Sequence, residues 1–144
     1  MIKKITNFTD DNISALANIW LTENLSAHDF VDEKYWLDNL AYFKSEITKA
    51  NVWTAQENNE IKGFIGLVDS YIAGIFVMEN FQHQGIGRKL LEQAKSENDK
   101  LTLHVYQNNQ VAIEFYLGQG FRKTARDIDE DTNQIELEMT WIKS

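Results

Sequence analysis

The sequence predicts an α/β (α+β) fold in which one mixed, mainly antiparallel central sheet is covered by helices. The expected element order is β-α-α-β-β-β-α-β-α-β-β. Three features carry this reading. Runs rich in β-branched and aromatic residues come in pairs joined by short polar turns, at 52–69 and again at 121–142. Between them, two strand-to-helix junctions follow one another, at 74–94 and 101–116, as crossover connections do. The length of 144 residues suits a single domain, 1–144, with one core and no staples.

Taken in order, residues 1–8 read as a first strand. Thr9 is placed to cap a helix whose buried face is Ile13, Leu16, Ala17 and Trp20. Residues 24–30 read as a loop carrying His28 and Asp29. Asp32 then caps a second helix, with Trp36, Leu40, Phe43 and Ile47 aligned on one side. Strands are expected at 52–56 and 61–69, joined by the polar turn Glu57-Asn58-Asn59-Glu60. A tight connection at Asp69-Ser70 leads to a strand ending at Met78. The helix after it repeats Ile86, Leu90, Leu91 and Ala94 at helical spacing. Residues 101–105 alternate as a strand, 111–116 continue as a helix, and a last hairpin turns around residues 130–133.

The chemistry concentrates at the first junction. Gly85 and Gly87 lie where a strand passes into the first turn of a helix. Amides at a helix start lack intrahelical partners, and the macrodipole adds about half a positive charge there. Glycine lets an anion approach the backbone without meeting a Cβ, so the stretch suits a phosphate or pyrophosphate. Two nucleotide motifs are excluded by spacing. A Rossmann fingerprint needs a third glycine where Leu90 stands, and a Walker loop needs a hydroxyl after Gly87-Arg88-Lys89.

The remaining pattern, Gln82-x-x-Gly85-x-Gly87 after a strand, resembles the pyrophosphate loop of the GNAT superfamily of N-acetyltransferases. Downstream, a strand, Asn108, Ala112, the Phe115-Tyr116 pair and Gly120-Phe121 are similar to that superfamily's second signature. Together the two cover 75–121. The resemblance implies acetyl-CoA as donor, with coenzyme A as product, and direct attack by a primary amine in a ternary complex. It also implies that two parallel strands, ending here at Met78 and Val105, splay apart to admit the cofactor.

Residue roles follow from the same resemblance. The amides of Gln84, Gly85, Ile86, Gly87 and Arg88 would hold the diphosphate, with Arg88 and Lys89 adding positive charge and Gln82 buttressing the loop. The pantetheine arm would pair with backbone at Phe76 and Val77 and meet Asn108, whose other reading is a helix cap. Tyr116 would be the general acid to the coenzyme A thiolate, since a phenol donates a proton while neutral at pH 7. Backbone at Val77 or Met78 would serve the thioester carbonyl oxygen. The proton on the attacking amine would go to Glu79, to His104, or through water. The acceptor pocket would draw on His28, Asp29 and Tyr35, with Trp36 and Asp32 beside them.

Composition narrows the partners. A formal net charge of -8, from 14 Lys+Arg against 22 Asp+Glu, argues against nucleic acid. Absence of cysteine fits a reducing cytoplasm and removes thiolate metal sites; no metal is expected. No apolar run suggests a membrane span. An amine-bearing acceptor, small molecule or protein, is the expected partner of a monomer or homodimer. Two other readings compete: a non-catalytic coenzyme A-binding regulatory module, and a phosphate-binding regulatory domain for another nucleotide.

Overall fold

In a computed structural model describing residues 1–144, the strands are β1 (Ile2–Lys4), β2 (Asn51–Glu57), β3 (Glu60–Val68), β4 (Tyr71–Val77), β5 (Lys100–Tyr106), β6 (Arg122–Asp129) and β7 (Gln134–Ile142). The helices are α1 (Asp10–Ala27), α2 (Glu33–Asp38), α3 (Leu40–Ile47), α4 (Ile86–Ser96) and α5 (Gln110–Gly118). The strands form one sheet in the order β1-β2-β3-β4-β5-β7-β6. Every neighbouring pair is antiparallel except β4 and β5. This is the mixed, mainly antiparallel sheet that the sequence predicts.

Local chemistry explains the turns and caps. Asn58 and Asn59 both take positive φ, 54° and 64°, as a two-residue hairpin loop with the right twist requires. Thr9 Oγ1 accepts from the Asn12 amide at 3.1 Å, and Asp10 and Asp11 follow in the positive first turn of α1.

Some boundaries differ from expectation. The first strand is only Ile2–Lys4, and β4 begins at Tyr71 rather than Gly74. Helix α1 runs on to Ala27, through residues read as loop, because Leu21 and Leu25 continue its packing against Val31 and Trp36. The expected second helix breaks at Asn39. There the side chain donates to the Tyr35 carbonyl at 2.7 Å, competing with the helical ladder, and α3 starts afresh.

The sheet separates two apolar layers. On one face, α4 and α5 contribute Leu90, Leu91, Ala94, Ile113 and Tyr116 to a cluster with Ile65, Leu67, Ile72, Leu103 and Met139. On the other, α1 and α3 bury Leu16, Ile19 and Ile47 against Val52 and Phe64. A smaller group, Val31, Trp36 and Tyr106, joins the α1–α2 connection to β5. No helix is long and apolar enough to cross a membrane.

The parallel pair sets the site. β4 and β5 share register only at Tyr71↔Thr102 and Ile72↔Leu103, although each runs for several more residues. Beyond Ile72 the two strands part, as the resemblance implies.

Candidate functional site

The gap between the strands is lined by main chain. The Met78 amide donates to the Lys62 carbonyl at 2.8 Å, so Met78 faces β3. Successive amides of a strand alternate in direction, which turns Val77 N–H toward the gap and returns Phe76 to the β3 ladder, where it pairs with Phe64. Two expectations are corrected here. Phe76 has no backbone group for a ligand in the gap, and its ring packs on Phe64 at 5.4 Å instead. The Met78 amide is likewise engaged, which leaves Val77 N–H as the donor at this strand end.

The loop after β4 enters α4 through Gly85, whose φ of 83° is one that L side chains rarely adopt. No side chain caps this helix. The first bond of α4 runs from the Lys89 amide to the Gly85 carbonyl at 3.1 Å, so the amides of Ile86, Gly87 and Arg88 lack intrahelical partners. These residues fit a diphosphate: convergent amides at a positive helix end, uncovered by any capping group. Gly87 has a further reason to be glycine, since a Cβ there would stand 3.2 Å from Phe115 Cζ. Its absence lets α5 pack close behind the loop. Gln84, Arg88 and Lys89 are exposed, with Arg88 Nε 3.8 Å from Glu92 Oε1 in an open pair that contributes little.

Tyr116 lies on α5, 9% exposed, its ring 5.5 Å from Phe115 and 5.7 Å from Phe121. Val77 and Ile86 pack against the same cluster. Burial pushes the phenol well above its ordinary range, so it keeps its proton at neutral pH.

The cap of α5 is Asn109, not Asn108. Asn109 Oδ1 accepts from the Ala112 amide at 3.2 Å, while the exposed Asn108 donates to Gln134 Oε1 at 3.2 Å. Asn109 therefore holds the place three residues before Ala112 that the sequence reading assigned one residue early. Asn109→Ala should cost about 1 kcal/mol through the lost cap. Asn108→Ala should leave the melting temperature nearly unchanged, and thermal melts of the two variants separate them.

His28 is also corrected: both ring nitrogens are engaged within the fold. With Asn109 Oδ1 on the Ala112 amide, Asn109 Nδ2 faces His28 Nε2 at 3.0 Å and donates to it. Asn24 Nδ2 donates to the Trp20 carbonyl, so Asn24 Oδ1 faces His28 Nδ1 at 3.1 Å and accepts from it. The ring, stacked on Trp36 at 5.5 Å, joins the end of α1 to the cap of α5.

Burial lowers the His28 pKa from 6.5 to about 4. Below pH 6.5 the unfolded chain takes up a proton that the folded chain refuses, so this contribution is full above pH 6.5 and fades toward pH 4. Melting temperature should fall between pH 7 and 5 more steeply in the wild type than in His28→Gln, which keeps a donor and an acceptor but does not titrate. Parallel melting curves would remove the assignment.

On the α1–α2 side of the sheet, β5, β7 and β6 present one polar face. The register places His104 beside Glu138, and Tyr106 beside Glu136 and Asp127. Tyr106 donates to Asp129 Oδ2 at 3.0 Å, and Tyr71 pairs with His104 Nδ1 at 3.0 Å. Burial raises the Glu136 carboxyl, the charge of His104 opposes it, and Asp129 and Asp127 reinforce it. Tyr35 faces the same charges: burial first, then Asp129, Asp131 and Glu136, raise its phenol. Tyr35 and His104 are thus brought to one acidic, aromatic face, while Asp29 and Glu79 are exposed.

Sequence reasoning passed over Glu23, Asn109, Tyr71 and Glu136. Glu23 is the one acidic or basic side chain in the buried set. A groove of about 340 Å³ between α1 and the β2–β3 hairpin touches this region only through Met78.

The model of the family described as Acetyltransferase (GNAT) domain matches residues 48–123. The chain is 30% identical over 135 residues to the peptidyl-lysine N-acetyltransferase YiaC of Escherichia coli, covering 92% of this chain and 89% of that one. It is 28% identical to the peptidyl-lysine N-acetyltransferase YjaB of the same organism over 132 residues, 91% and 90% of the two chains. The solution structure of apo YjaB from Escherichia coli superimposes with a TM-score of 0.85 at 24% identity, over 100% of this chain and 99% of the other.

Proposed function

The chain belongs to the GNAT family and is an acetyl-CoA-dependent N-acetyltransferase, and from that premise we propose that its acceptor is the ε-amine of a protein lysine. The observation that carries the choice of acceptor is the face beside the strand gap, where Asp127, Asp129, Glu136 and Glu138 surround His104, Tyr106 and Tyr35. Carboxylates attract an ammonium group and the basic residues near it, and aromatic rings accept its alkyl stem. Two relatives bearing the name peptidyl-lysine N-acetyltransferase support the same acceptor.

Acetyl-CoA supplies the acetyl group as a thioester. The free amides of Ile86, Gly87 and Arg88 hold its diphosphate. Val77 N–H donates to the thioester carbonyl oxygen, where negative charge develops during attack. Tyr116, neutral and enclosed, gives its proton to the departing sulfur. His104 accepts the proton of the acceptor amine, its ring oriented by the 3.0 Å contact between Nδ1 and the Tyr71 hydroxyl.

The test is acetylation of lysine peptides against a panel of small amines, read by mass spectrometry. Lysine peptides with basic neighbours should be modified fastest. Neutralising Asp127 and Glu138 together should raise KM for those peptides while sparing acetyl-CoA. Acetylation of small amines with no peptide modified would overturn the choice of acceptor.

A further inference from the structure

Glu23 sits in the last third of α1, 9% exposed and without a cationic partner. A carboxylate in such a place is costly unless donors compensate it. Two donors do, and both belong to the connection between β4 and α4. Gln82 Nε2 donates to Glu23 Oε1 at 3.0 Å, and the Glu79 amide donates to Glu23 Oε2 at 3.3 Å.

The same Gln82 Nε2 donates its second proton to the Val77 carbonyl at 2.9 Å. Both protons of the amide group are therefore engaged by acceptors, and a flipped Gln82 would set its oxygen against Glu23 and Val77 together. The carboxylate thus fixes the Gln82 amide, and Gln82 fixes the strand end whose N–H faces the gap. Only an acceptor-only group satisfies both partners at once. A glutamine at position 23 would present a donor to one donor. Burial, the largest influence, raises the Glu23 carboxyl, while the Glu79 amide and Gln82 oppose it.

We propose that Glu23 is a positioning residue of the acetyl-CoA site, clamping α1 to the end of β4 and to the loop that leads into α4, so that the gap is held in its binding geometry before the ligand arrives. It acts through Gln82 and the Glu79 amide. The proposal rests on the acetyl-CoA reading above and extends it to a helix outside both sequence motifs.

The test is calorimetric titration of coenzyme A into wild type, Glu23→Gln, Gln82→Ala and the double variant, with acetyl-CoA kinetics and thermal melts alongside. Wild type should bind. Glu23→Gln should raise Kd and the KM for acetyl-CoA at least tenfold while kcat stays within about threefold. Gln82→Ala should weaken binding similarly, with some loss of melting temperature because Glu23 Oε1 loses its donor. In the double variant the two effects should not add, because one residue works through the other. Failure of wild type to bind coenzyme A would overturn the underlying reading together with the clamp. Wild-type affinity in folded Glu23→Gln, with only a lower melting temperature, would overturn the clamp alone. If Glu23→Gln does not fold, unchanged affinity in Gln82→Ala overturns it, and a tenfold loss there sustains it.

Discussion

Tyr116→Phe should lower turnover by about 10²–10⁴-fold while leaving acetyl-CoA affinity nearly intact, the range over which a positioned proton donor contributes. The substitution keeps the ring, so the contacts with Phe115 and Phe121 persist. It removes only the hydroxyl, whose proton burial protects at neutral pH. An interaction made in the transition state alone shows in kcat rather than in binding. Steady-state kinetics on an unmodified lysine peptide as acceptor, paired with coenzyme A titration, separates the two. Full turnover in Tyr116→Phe would pass the acid role to another group. Joint loss of affinity and melting temperature would make Tyr116 a packing residue.

Gly87→Val should remove measurable coenzyme A binding. The added Cβ meets Phe115 at 3.2 Å, and relieving that clash shifts the first turn of α4, whose free amides form the anion site. Displacing Phe115 carries an overpacking cost of about 1–3 kcal/mol, so a lower melting temperature accompanies the loss. Gly85→Ala makes the contrast. No atom lies within 4 Å of its would-be Cβ, and the expected cost is the conformational one, roughly 1–2 kcal/mol for a left-handed L residue. Titration of both variants distinguishes a blocked anion site from a strained turn. Wild-type affinity in Gly87→Val would detach the loop from the diphosphate.

The parts of the site built from local backbone were legible in the sequence. Glycine at a strand-to-helix junction implies free amides whatever the rest of the chain does. The succession of strands and helices along the chain, and the hairpins, follow from period and turn residues in the same way, whereas the placing of β7 between β5 and β6 does not. Roles that depend on distant partners were not legible. His28 reads as an exposed loop residue until Asn109, 81 positions away, takes its Nε2. Glu23 reads as one of many acidic residues on a helix, because its two donors come from the far side of the sheet sequence. Adjacent asparagines hid the α5 cap, since composition does not tell which of Asn108 and Asn109 faces the Ala112 amide. Phe76 and Val77 were indistinguishable until the Met78–Lys62 bond set the parity of the strand.

Only two register pairs, Tyr71↔Thr102 and Ile72↔Leu103, stitch β1–β4 to β5–β7. The seam is therefore the thinnest place in the molecule's hydrogen-bond fabric, and its open length is the proposed seat of the donor. A ligand seated there bridges both halves, as a missing rung steadies a ladder. Saturation at a hundred times Kd adds about 2.7 kcal/mol to the folded state by mass action. The melting temperature of this protein should therefore climb with the concentration of its acetyl donor.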